Sequence, residues 1–143
     1  MLLASCGHTL MSEYHEFENG TWLRFEPEVF EFDVNKTTTP YNIEFSAKID
    51  TTHYQGKTLP LVVDLYTDEG EHRMFRSEVM IRDAEGKLCG ETDGSLVSIE
   101  KNLKTCHYFN TKGHQRLEVK QGTPKYEISG IAEIGIKIEK VKL

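Results

Sequence analysis

Long hydrophobic runs are missing from this chain: no stretch of about 18 consecutive apolar residues occurs, so no helical membrane span is encoded. Cysteine is scarce, with three in 143 residues, which excludes a disulfide-stapled miniprotein. Positive charge is outnumbered, 17 basic against 23 acidic residues, and a net charge of −6 argues against nucleic acid as a partner. Catalytic signatures are absent as well. The six histidines are scattered without a His-Glu-x-x-His spacing, and no Cys-x-x-Cys, Gly-x-Ser-x-Gly elbow or phosphate-cradling glycine loop is present. No cofactor or metal is therefore expected. Asp64, Asp68, Glu69 and Glu71 cluster at one hairpin, where oxygen ligands for calcium compete with an ordinary solvated turn.

What the chain does have is alternation. From Tyr41 to Ile49 every odd position is apolar or small, and the even ones are Asn42, Glu44, Ser46 and Lys48. A period of two over nine residues is a half-buried antiparallel strand. Similar segments lie at Val29–Val34, Leu61–Leu65, Met74–Arg82, around Leu117 and Val119, and at Ile134–Glu139. Asp68-Glu69-Gly70-Glu71 and Ala84-Glu85-Gly86-Lys87 read as hairpin turns. Leu96–Leu103 fits either a helix or a strand, and Cys106-His107-Tyr108 reads as the start of another strand. Eight or nine short strands with no helix of ten residues predict one all-β domain, an antiparallel β-sandwich over residues 21–143.

The N-terminus has a different character. Leu3-Ala4-Ser5-Cys6 has the form of a lipobox, a Leu and two small residues before a Cys that is lipidated. Only Met1-Leu2 precede it, so residues 1–6 read as the remnant of a lipoprotein signal. Residues 7–20 are polar, with Glu13, Glu16 and Glu18 ahead of Asn19-Gly20, and are expected to form a tether. Cys89 and Cys106 are expected either to bridge in an oxidising envelope or to remain as two buried thiols. Among the aromatics, Trp22 and Tyr66 suit core or rim packing. Tyr54, in the polar loop Thr51–Gly56, is the candidate contact for a partner.

Several segments resemble one family in order along the chain. They are the lipobox Cys6, Phe30-Glu31-Phe32-Asp33-Val34, Thr39-Pro40-Tyr41-Asn42, Asp83–Gly90, and the closing stretch Gly130–Lys140. Together they resemble the gliding-motility lipoproteins H (GldH) of the Bacteroidota. Leu88-Cys89 departs from the aromatic usual there. The resemblance implies an envelope lipoprotein, held to the membrane through its lipid, with proteins of a motility and secretion machinery as partners. It carries over no catalytic group. With Gly7-His8-Thr9-Leu10 after Cys6 in place of acidic residues, it implies a periplasm-facing anchor on the outer membrane. From another class, a carbohydrate-binding module or glycan hydrolase would use the same type of fold, and no small-molecule ligand is specified.

Overall fold

Strict alternation does its work in strand β4 (Tyr41–Asp50), where Ile43, Phe45, Ala47 and Ile49 are buried while Asn42, Glu44, Ser46 and Lys48 face outward. The computed structural model, which describes residues 8–142, contains ten further strands. These are β1 (Thr9–Glu16), β2 (Thr21–Leu23), β3 (Glu28–Val34), β5 (Thr58–Thr67), β6 (His72–Met80), β7 (Glu91–Asp93), β8 (Leu96–His107), β9 (Gly113–Gln121), β10 (Glu127–Ser129) and β11 (Ile131–Lys140). Among the described residues there is no α-helix, only a 3-10 turn at Glu18–Gly20.

The strands form two sheets, β1-β11-β4-β8-β7 and β3-β9-β5-β6, with a two-stranded ribbon β10-β2 at one end. Every pairing is antiparallel. The core lies between the sheets. Ile43, Phe45, Ile134 and Ile136 from the first meet Phe30, Leu61, Val63, Leu117 and Val119 from the second. Burying a Leu, Ile or Phe side chain of this kind stabilises by about 1.5–3 kcal/mol, and such burial is the main force closing the sandwich.

The structure resolves three readings, two of them as corrections. First, the expected tether over residues 7–20 is mostly strand within its described residues 8–20, because β1 pairs with β11 from Thr9↔Glu139 to Glu16↔Glu133. Its inward positions include Glu13 and His15, so its pattern does not read as apolar. The His15 ring nonetheless stacks on Phe30 at 4.2 Å and hydrogen-bonds to Glu13 and Glu28, which lets a polar pair occupy a core-edge slot. Second, Leu96–Leu103 is strand, the body of the 12-residue β8. Third, Cys106-His107 ends that strand and does not begin one; Cys106 adopts φ 53°, a left-handed conformation that breaks an extended run. Cys6 lies outside the described residues.

Candidate functional site: the two ends of the sandwich

Strand β1 gives the molecule a direction. It begins at Thr9 and ends at Glu16, so its two ends define the two ends of the sandwich. One row of pairings runs across the first sheet at this level. Lys140 donates its amide to the His8 carbonyl (2.7 Å), Lys140 pairs with Tyr41, and Tyr41 pairs with His107. This row marks the end of the fold at which β1 begins. Strands β1 and β9 run away from it to Glu16 and Gln121, and β3 runs back toward it from Glu28. An eight-residue β1 spans about 26 Å, so the opposite, distal end stands off by roughly that distance.

The distal end carries the β2–β10 ribbon, in which Trp22 pairs with Ile128. Trp22 is 1% exposed, packs on Phe17 at 5.1 Å and donates its indole N–H to the Glu26 carbonyl (3.4 Å), so it is a core residue and pins the ribbon. Beyond it, Phe25 and Tyr126 are 71% and 64% exposed, with ring centroids 6.4 Å apart. The Arg24 guanidinium lies 5.4 Å from the Phe25 ring, and its backbone N–H donates to the Tyr126 carbonyl (2.7 Å). An exposed aromatic pair with a stacked arginine has the composition of a binding hot spot. Sequence reasoning missed it because Phe25 and Tyr126 lie about a hundred residues apart; only the β2–β10 pairing joins them.

Tyr54 is not a surface contact. It is 8% exposed, and its hydroxyl donates to the Thr58 carbonyl at 2.6 Å. Burial pushes its phenol pKa up, with Arg82 opposing. Its loop does border the distal end: His53, Gln55 and Gly56 face Thr123 and Lys125 across a groove of about 550 Å³. Asp50 organises the loop, accepting from the Thr52 hydroxyl (2.7 Å) and amide (3.0 Å) and contacting His53 Nδ1 at 3.0 Å. Those Thr52 and His53 bonds hold the Asp50 carboxyl down at about 2.

Cys89 and Cys106 are both free and exposed, neither bridged nor buried. Pairing explains why they do not meet. Glu91 pairs with Ser98, which brings Cys89 level with Glu100, while Cys106 lies six residues farther along β8, about 20 Å away. Tyr66 stacks on His72 at 4.4 Å, with the Arg116 guanidinium 4.5 Å from its ring. Asp64 is buried under that cluster, 2.7 Å from His72 Nε2 and 3.5 Å from Lys120 Nζ. It is thus committed to an ion-pair network and does not join Asp68, Glu69 and Glu71; among the described residues no three His, Cys, Asp or Glu groups are gathered to hold a metal.

A family model described as GldH lipoprotein matches residues 9–138. No curated protein matches the chain. Among solved structures it is similar to a family GH115 4-O-methyl-α-glucuronidase, BtGH115A, with specificity for decorated arabinogalactans, at 17% identity and TM-score 0.43. That likeness covers 91% of this chain and 14% of the enzyme's. It is also similar to the structure of infectious bursal disease virus, Gx strain, at 17% identity and TM-score 0.40, over 93% of this chain and 30% of the viral one.

Proposed function

The chain belongs to the GldH lipoprotein family, and from that premise we propose that it holds a protein partner within a motility- and secretion-associated envelope assembly. Membership in a lipoprotein family implies an envelope protein anchored to a membrane by lipid. In our reading Cys6 bears that lipid, the anchor faces the periplasm from the outer membrane, and the domain binds without turning over a substrate. The observation that carries this is the Arg24–Phe25–Tyr126 cluster, exposed at the end opposite the anchor. A short connection and a rigid β1 would present that cluster at a fixed height above the membrane.

The test is photo-cross-linking from a site beside Tyr126 in intact envelopes. One envelope protein should be recovered, and Phe25→Ala with Tyr126→Ala should reduce recovery at least tenfold, the loss expected for one hot-spot residue. Tyr14→Ala, on the outer face of β1, should leave it unchanged. Binding of an envelope glycan that the same double variant abolishes would favour the carbohydrate-binding alternative. Cys6→Ala should release the chain from the membrane fraction.

A further inference from the structure

The end where β1 begins contains a second feature that the partner-holding role does not use. Between the two sheets, on the side where β6 faces β8, a cavity of about 370 Å³ opens toward solvent. Its floor is the hydrophobic core itself: Ile43 of β4, Leu65 of β5 and Leu117 of β9, with Phe75 of β6 as one wall. Its mouth carries Arg73, Lys104 and His107. No carboxylate lines it. Glu71 engages Nε and Nη2 of Arg73 from outside the cavity (3.3 and 3.2 Å). Lys104 has no carboxylate within 4.0 Å among the described residues; its Nζ lies 4.5 Å from the Phe75 ring centroid. Burial, then Lys104 and Arg73, push the His107 pKa down, so the imidazole is a neutral neighbour to two fixed cations near pH 7.

We propose that this cavity binds a single-chain carboxylate amphiphile, a fatty acid of roughly ten to twelve carbons, tail between the sheets and carboxylate at Lys104 and Arg73. Size, polarity and charge each contribute. An apolar protein cavity of about 150 Å³ holds one benzene ring, so 370 Å³ accommodates roughly a dozen carbons. An alkyl tail matches a floor of Ile and Leu, whereas a sugar or peptide would leave its polar groups unpaired there. A carboxylate head would give Lys104 the charge partner it lacks and can accept from His107. The cavity also lies at the end where β1 begins, since His107 shares its row with Tyr41 and Lys140, and on the proposed reading that Cys6 bears the lipid this is the membrane-facing end. A molecule partitioned in a membrane would therefore meet the mouth first.

The experiment uses the full-length chain with Cys6→Ser, free of lipid and detergent, and titration calorimetry with dodecanoate below its micelle-forming concentration. Saturable one-to-one binding is expected, at least tenfold tighter than dodecyltrimethylammonium, which has the same tail and the opposite charge. Acetate, the head group alone, should show no saturable binding. Lys104→Glu with Arg73→Glu changes only the mouth and should weaken dodecanoate at least tenfold. Leu65→Trp, which fills the floor, should abolish binding. Absence of saturable binding, equal binding of the cationic amphiphile, or an unaffected double mouth variant would overturn the proposal. None of these outcomes bears on the distal cluster, so the partner-holding reading is tested separately.

Discussion

Gly130 links β10 to β11 and packs against the end of β4 and the loop that follows it, and replacing it with Ala should be among the most damaging single-methyl changes in the protein. Its φ is +92°, a conformation that costs an L-residue about 1–2 kcal/mol. The added Cβ would lie 2.6 Å from the Tyr54 amide nitrogen and 2.9 Å from the Asp50 carbonyl oxygen. Both are backbone atoms and cannot rotate away. They are further tied down, because Asp50 N donates to the Gly130 carbonyl (2.7 Å) and Tyr54 N to the Asp50 carbonyl (2.9 Å). Relief therefore requires straining or breaking at least one of these bonds, at about 1 kcal/mol, on top of an overpacking cost of about 1–3 kcal/mol. The expected total is about 3–6 kcal/mol, a fall in Tm of about 10–20 °C for a chain of this size. Gly86→Ala is the control: φ is +85°, but nothing lies within 4 Å of its added Cβ, so it should lose only the conformational part. Urea unfolding followed by fluorescence of the buried Trp22 measures both. Equal destabilisation of the two variants would refute the steric argument and leave only the backbone angle.

Two further outcomes follow from the side chains. Burial lowers the His15 pKa, but hydrogen bonds and charge from Glu28 and Glu13 outweigh it, so the net shift is upward. The stability it contributes is therefore present below about pH 6.5 and lost as pH rises through its folded pKa; His15→Gln should flatten that part of the pH–stability curve, and an unchanged curve would sink the assignment. Cys89 and Cys106 are exposed, so in a Cys6→Ser chain both should react with iodoacetamide without denaturant, and mild oxidation should yield no internal bridge by mass.

The sandwich was readable where alternation is apolar on one face, as in β4 and the inward row of β5. It was unreadable where chemistry substitutes for hydropathy. In β1 a Glu–His pair fills inward positions, and no periodicity search credits such a pair with burial. Strand β8 looked partly helical because Leu96, on its outward face, joins Ile99 and Leu103 at helical spacing, while the inward row is Val97, Ile99, Lys101 and Leu103. Tyr54 was misread for a related reason: an aromatic among polar neighbours resembles an exposed one until Thr58, four residues on, supplies a carbonyl for its hydroxyl. The Phe25–Tyr126 pair and the cavity between β6 and β8 depend on long-range pairing, which local composition does not encode.

That β1 is a strand and not a tether changes how the protein carries load. On the proposed reading, with lipid on Cys6 and a partner on the Arg24–Phe25–Tyr126 cluster, tension would enter near Arg24 and Tyr126 and leave through the start of β1. The pull is along the strand axis, while the β1–β11 hydrogen bonds lie perpendicular to it. They are loaded in shear, so the ladder from Thr9 to Glu16 must yield together and cannot open one pair at a time. A flexible segment in place of β1 would absorb such a pull as extension, whereas the paired β1 would pass it on as displacement.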